Sequence, residues 1–275
     1  MPAYTLTIVA DSDTGLNREL NEDSVLGLSR QANNTPCGLA VVADGMGGHQ
    51  AGEIASRIAV ETMHQQLAWL LERDPQNDTA PLSATPPSET PQQIGDDHYL
   101  ARRLRLAIKG ANQAIINHAH QNPIETGNMG STITAALIYG QTAVVANIGD
   151  SRAYLFRQNE LIQISEDHSY VGRLVRLGQL TRDQARIHPR RNLITRTLGS
   201  DPEVDIDVWL FKLLPDDKLL LCSDGLWEMV ADENMIAERL AQPPASAIPS
   251  LIQLANDFGG HDNIGVVITH LVESS

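Results

Sequence analysis

The sequence is short of cysteine, of basic charge and of long apolar runs, and each shortage closes off a class of protein. Two cysteines in 275 residues, Cys37 and Cys222, cannot build a disulfide framework or a cysteine-rich zinc site. Cys222 ends the apolar run Leu219–Cys222, where a small buried hydrophobe fits better than a reactive thiol. No apolar stretch approaches the roughly eighteen residues that span a bilayer. The first basic residue is Arg18, so the start reads as neither a signal peptide nor an arginine-rich transit peptide. Twenty basic residues against 34 acidic ones leave a formal charge of −14, which argues against the basic surface that displaces counterions from nucleic acid. A hydrophobic content of 42% excludes wholesale disorder and is enough for a real core. The expectation is a cytoplasmic protein, residues 1–275 forming one domain, with no nucleic-acid partner and no membrane insertion.

Apolar, β-branched runs recur at Tyr4–Ala10, Gly38–Ala43, Ser131–Tyr139, Thr142–Ile148, Ala153–Arg157, Val204–Leu210, Lys218–Cys222 and Ile264–Val272. Turn signals such as Tyr139-Gly140-Gln141 and Gly149-Asp150-Ser151 read as antiparallel hairpins. Many runs are apolar on both faces, which suits sheets covered on both sides. Helical spacing marks residues 50–72 (Ile54, Ile58, Met63, Leu67, Leu71) and 98–120 (Leu100, Leu104, Ala107, Ala111, Ile115, Ala119), with shorter helices expected near 232–241 and 245–257. This order is not the alternation of a parallel sheet. It points to an α/β sandwich (α-β-β-α), two stacked, mainly antiparallel sheets flanked by helices. Between the long helices, residues 73–97 carry five of the fourteen prolines and are expected to be a mobile surface loop.

Acidic residues stand at the polar ends of apolar strands or on the turns just after them: Glu22-Asp23, Asp44-Gly45, Asp150, Asp224-Gly225 and Asp262-Asn263. Carboxylates at the mouth of a buried sheet repel one another and stay ionised only when a cation holds them. The donors are all oxygen, which suits Mg²⁺ or Mn²⁺ and disfavours zinc. A single Asp-Gly is first a turn signal; the weight lies in the whole set.

These residues carry a resemblance. Arg18-x-x-Asn21-Glu22-Asp23, Asp44-Gly45-Met46-Gly47-Gly48-His49, Gly130-Ser131-Thr132, Asn147-Ile148-Gly149-Asp150-Ser151-Arg152, Asp167-His168-Ser169, Leu193–Gly199, Ser223-Asp224-Gly225-Leu226-Trp227 and Asp262-Asn263-Ile264 follow one another. In that order the chain resembles the metal-dependent protein phosphatases, the protein phosphatase 2C type, in their compact bacterial form. The resemblance covers nearly the whole length. It implies a site between the sheets holding two Mn²⁺ or Mg²⁺ ions that share a water. Asp44 would bridge both ions, Glu22 and the Gly45 carbonyl would serve one, and Asp224 and Asp262 the other. Asp23 would orient the water, and Arg18 would clamp the phosphoryl oxygens. A weaker third ion falls to Asp150 with Asp224. The implied reaction is hydrolysis of phosphoserine and phosphothreonine in proteins, opposing a bacterial Ser/Thr kinase.

Two departures matter. Met46 stands where eukaryotic members carry a histidine proposed to protonate the leaving oxygen, so that task falls to metal-bound water or to His49, otherwise a loop histidine packed on the next helix. Gly265 stands where a Thr or Ser is usual, and the missing hydroxyl is expected to loosen Asp262 slightly.

Residues 168–200, matching the family's flap, hold seven arginines against one acid, Asp183, a local charge of +6 that leaves −20 on the rest. Either these arginines pair with the acidic body, or they form a basic rim that steers phosphorylated peptide to the site, with Arg190 and Arg191 as substrate-binding candidates. Helical cues at Val171, Leu174, Val175 and Leu177 end at Gly178, and Thr181 caps a second short turn.

Rival readings fail on particular residues. A dinucleotide fold needs a third glycine where Gln50 stands, and a P-loop needs lysine where Glu53 stands. The phosphatases of anti-sigma-factor antagonists lack the clamp arginine and the flap, both present here. The alternative of a metal-free pseudophosphatase, acting as scaffold or sensor, requires lost ligands, and Glu22, Asp44, Asp224 and Asp262 are all present.

Overall fold

The computed structural model describes residues 3–32, 34–47, 51–72, 87–126 and 128–274. Its first sheet contains β1 (Ala3–Asp13), β8 (Arg152–Arg157), β9 (Glu160–Gln163), β11 (Lys218–Cys222) and β12 (Ile264–Ser274), in the order β1-β12-β11-β8-β9. The second contains β2 (Asp23–Ala32), β3 (Thr35–Met46), β4 (Gln92–Gln93), β6 (Ile133–Tyr139), β7 (Thr142–Ile148) and β10 (Asp207–Lys212), in the order β2-β3-β6-β7-β10-β4, with β5 (Gly130–Ser131) paired to the end of β3. Neighbouring strands are antiparallel throughout these pairings.

The helices are α1 (Ala51–Leu67), α2 (Tyr99–Gln121), α3 (Pro123–Thr126), α4 (Tyr170–Arg176), α5 (Arg182–Arg186), α6 (Asp224–Trp227), α7 (Glu233–Leu240) and α8 (Pro244–Asp257). Alternation along a strand sends successive side chains to opposite faces, and β3 shows what that does. Leu39, Val41 and Ala43 join the core shared with α1 and α2, whereas Ala40 and Val42 join the layer between the sheets. On the other side, Leu220, Cys222, Val266 and Ile268 pack against α6, α7 and α8. The layering is therefore α-β-β-α, as the pattern of doubly apolar strands implied.

Several expectations shift in detail. The buried stripe of α1 runs through Ala55, Ala59, Met63 and Leu67, with Ile54 and Ile58 on its flanks; small residues let the helix lie close to the sheet. Strand β2 escaped the sequence reading because Gly27, Ser29 and Arg30 interrupt its apolar run. Residues 73–86 of the expected mobile loop lie outside the described residues. From Ser88 on the segment is tied to the second sheet: Ser88 O accepts from Lys212 N at 2.7 Å, and Gln92–Gln93 pairs with β10.

One correction bears on the site. The turn Gly140-Gln141 does close a hairpin, with Tyr139 opposite Thr142. Gly149-Asp150-Ser151 does not; it carries the chain from β7 in one sheet to β8 in the other. Gly149 makes the crossing possible, with φ +101 and no room for a Cβ, which would stand 2.5 Å from Thr132.

Strand β11 is anchored at its start by Lys218, a buried cation whose pKa is lowered by desolvation. Its Nζ donates to the carbonyls of Leu240 (2.5 Å) and Gln242 (2.7 Å) at the end of α7. Lys218→Met keeps the apolar stem and leaves those carbonyls without this donor. It is expected to cost about 1–3 kcal/mol, read as a lower urea midpoint at unchanged slope.

Candidate active site

The carboxylates gather at one end of the sandwich because five chain segments end there. Asp23 and Asp44 face each other across the β2–β3 pair. Glu22 immediately precedes β2, Asp224 opens α6 directly after β11, Asp262 leads into β12, and Asp150 sits on the inter-sheet crossing. Arg18 lies on the loop after β1. That loop is pressed onto the Asp262 segment, with Leu16 N donating to Gly260 O at 2.8 Å. Gly15 (φ +75) packs so closely that a Cβ would meet Asp262 O at 2.2 Å.

Neutral side chains hold this arrangement. Asn263 accepts from Glu22 N at 2.8 Å and donates to Thr14 O and Leu20 O, both at 2.9 Å, stitching the Arg18 loop down. Asp44 N donates to Thr132 Oγ1 at 3.0 Å, and that hydroxyl is 2.7 Å from Ser151 Oγ, beside Asp150. Ser223 Oγ donates to Asp23 Oδ2 at 2.6 Å and accepts from Gly265 N at 2.8 Å. Trp227 Nε1 donates to Asp150 O at 3.0 Å. In the sequence these supports show only as letters of the motifs. Their signal was a polar residue beside each strand-end carboxylate, where an apolar strand would otherwise continue.

A Cβ at Gly265 would stand 3.0 Å from Asp23 Oδ2, so the bare glycine lets the Asp23 carboxylate lie close against β12. His49, the alternative proton donor, lies outside the described residues.

Burial raises the pKa of every carboxyl in the group's interior. Asp23 is pushed up to about 7 by desolvation, against the Ser223 hydrogen bond, which favours its charged form. Asp150 likewise reaches about 7 through burial, with Asp167 adding repulsion. Asp44 and Asp224 lie well above the usual range, first from burial; Asp44 is then raised by repulsion from Asp224 and Asp23, and Asp224 by repulsion from Asp150 and Asp262. Glu22 is raised by burial, with Arg18 opposing. Asp262, one-third exposed, binds Arg18 Nη2 through Oδ2 at 2.7 Å.

Glu22 Oε1 and Asp150 Oδ1 are buried without any hydrogen-bond partner. Buried acceptors without donors, among carboxylates that repel one another, fit a hard divalent cation with oxygen ligands. As they stand, no three Asp, Glu, His or Cys side chains among the described residues are drawn together tightly enough to hold an ion. Asp262, turned to Arg18, would have to exchange that partner.

The flap follows the helical cues: Ser169 caps α4, Gly178 (φ +67) ends the turn after it, and a Thr181–Gln184 capping box starts α5. Its arginines divide. Arg176 pairs with Glu166, Arg182 with Glu233 at 3.1 Å and Arg196 with Asp207 at 3.1 Å. Arg190 lies over the Tyr170 ring at 5.5 Å, within the flap. Arg191 lines a cavity of about 870 Å³ between flap and body, beside Glu228.

Comparison with known proteins agrees with this geometry. The family model of protein phosphatase 2C matches residues 16–247. The serine/threonine phosphatase stp of Listeria welshimeri is 35% identical over 260 residues, covering 94% of this chain and 92% of the relative. Among solved structures, the Mycobacterium tuberculosis serine/threonine phosphatase PstP/Ppp superposes with a TM-score of 0.79 at 37% identity, covering 98% of this chain and 99% of the other. A second structure, the PstP catalytic domain in complex with two manganese ions, gives a TM-score of 0.77 at 35% identity, covering 98% and 100%. The chain belongs to the protein phosphatase 2C family. Among the described residues no helix is long and apolar enough to cross a membrane.

Carboxyls whose folded pKa lies above the unfolded value hold protons that the unfolded chain has already released. Their native-state stability therefore falls as pH rises from about 4 through about 7. In EDTA the melting temperature is expected to drop between pH 5.5 and pH 8. Asp44→Asn, which removes the most crowded charge, should raise it at pH 8 and flatten the pH dependence, measured by calorimetry.

Proposed function

We propose that the chain is a metal-dependent serine/threonine protein phosphatase acting on phosphorylated proteins, in a pathway opposite a Ser/Thr kinase. The observation that carries this reading is the convergence of Glu22, Asp44, Asp150, Asp224 and Asp262 around partnerless buried oxygens, with a guanidinium at the rim. Two Mn²⁺ or Mg²⁺ ions fit that chemistry. Asp44 would touch both, Glu22 and the Gly45 carbonyl one, Asp224 and Asp262 the other, and Asp150 with Asp224 a weaker third. Such ions, when bound, lower the pKa of water and neutralise charge on a phosphoryl group.

The remaining roles belong to side chains. Asp23, which accepts from Ser223 Oγ, would accept a hydrogen bond from the attacking water. Arg18, released from Asp262, offers two parallel N–H donors to phosphoryl oxygens. Water adds to phosphorus in line as the ester oxygen leaves, yielding the protein's serine or threonine hydroxyl and inorganic phosphate. Met46 carries no transferable proton, so the leaving oxygen takes its proton from water or from His49. A scaffold without turnover would need a broken ligand set, and the acidic residues of that set are intact.

Hydrolysis of a phosphothreonine peptide is expected with Mn²⁺ and not with EDTA. Asp44→Asn should abolish it and Arg18→Ala should raise KM by about tenfold or more; metal-independent turnover would overturn the mechanism. Arg190 and Arg191 are the flap cations assigned here to meet substrate. Neutralising both is expected to raise KM for phosphopeptides more than for p-nitrophenyl phosphate, whereas equal effects would remove the steering role.

A further inference from the structure

The flap and the body are separated by the 870 Å³ cavity, walled by Val171, Val175, Met229 and Glu228 among others. Apolar packing therefore does not set their spacing there; polar posts do, and Arg186 is one whose side chain reaches the body's backbone. It is the last residue of α5, a helix preformed by the Thr181–Gln184 capping box. Its Nη1 donates to Glu228 O at 3.2 Å, and its Nη2 donates to Trp227 O and Ala231 O, each at 3.3 Å.

Those carbonyls lie at and beyond the end of α6. The preceding carbonyls of Ser223, Asp224 and Leu226 accept from Leu226, Glu228 and Val230. At a helix end the last carbonyls lack internal donors, and here the flap supplies them. The guanidinium, with its donors in a planar fork, reaches all three carbonyls from one side chain.

The gripped segment links two site carboxylates. Asp224 begins α6, three residues before Trp227. Trp227 holds Asp150 O through its indole N–H, while its ring lies 3.5 Å from the Arg152 guanidinium. Arg152 is itself doubly bonded to Asp167, at 2.9 and 2.6 Å.

We propose that Arg186 is a positioning residue for the reaction: by capping Trp227, Glu228 and Ala231 it locks the flap to the segment that sets Asp224 and Asp150. The proposal rests on the phosphatase reading above and predicts a role unlike that of Arg190 and Arg191. Arg186 acts through the site's backbone and touches no substrate.

The test combines steady-state kinetics at saturating Mn²⁺, on a phosphothreonine peptide and on p-nitrophenyl phosphate, with amide hydrogen exchange. Arg186→Ala is expected to lower kcat about tenfold on both substrates, the scale of a lost hydrogen bond from a charged group, with KM within about twofold. Exchange at the Glu228 and Val230 amides should quicken by a similar factor. Arg186→Lys, which keeps the charge without the fork, should lie within about threefold of wild type in kcat, and it carries the same kcat-against-KM split if the alanine variant does not fold. A rise in KM confined to the peptide would make Arg186 a substrate contact and overturn the proposal. Faster exchange with unchanged kcat, or no change in either, would overturn it equally. If wild type shows no turnover on either substrate, the phosphatase reading fails, while the exchange data still report on the clamp itself.

Discussion

Everything at the functional end of this protein answers to one constraint: several carboxyl groups are held close together out of bulk water. Asp44 and Asp224 are raised in pKa by burial and by repulsion from their neighbours, and Asp23 and Asp150 are pushed up to about 7. Such a group relaxes apart or neutralises itself unless the scaffold resists. The resistance comes from behind, where three apolar layers back the strands that carry the carboxylates. It also comes from the side, where Thr132, Ser151, Ser223, Asn263 and Trp227 hold main chain and carboxylates in place. Free energy gained in the core holds an electrostatic arrangement that would not persist alone.

Charge is organised on two scales. The formal −14 divides into a −20 body and a +6 flap, but the flap's charge is not simply a rim facing solvent. Arg176, Arg182 and Arg196 are matched to carboxylates, and Arg186 to carbonyls. Of the two readings of the arginine-rich stretch, pairing with the body holds for these four arginines, and attraction of phosphorylated protein is proposed for Arg190 and Arg191 alone. Because exposed ion pairs contribute little each, the flap's placement depends on a set of polar posts around a cavity rather than on one strong contact.

Legibility in the sequence followed the range of the interactions. Helices α1 and α2 showed as periodic patterns because their buried residues recur within a turn or two. The strands with continuous apolar runs, β6, β7 and β11, showed for the same local reason. β2 did not, because its glycine and polar residues are accommodated by neighbours distant in sequence; a Cβ at Gly27 would meet Ile8 at 2.9 Å. In the site, Asp44 and Asp224 were legible as carboxylates ending apolar strands. The polar supports of the neighbouring acidic residues were not, since Ser223 reaching the Asp23 carboxylate and Asn263 reaching the Glu22 N–H span 200 and 241 residues.

The sequence alone determined which groups could do the chemistry: oxygen donors at strand ends, a lone arginine before them and an arginine-rich segment. Local chemistry suffices for that, because side-chain type and strand-end position need no knowledge of distant partners. The tertiary structure decided how those groups meet. It turned Gly149-Asp150-Ser151 from an apparent hairpin into the crossing between sheets, paired β1 with β12 from opposite ends of the chain, and set Arg18 against Asp262. The physical reason is that sheet pairing and the packing of two sheets on one another are non-local. Which turn closes a hairpin and which changes sheet depends on cores completed only when both halves of the chain have folded together.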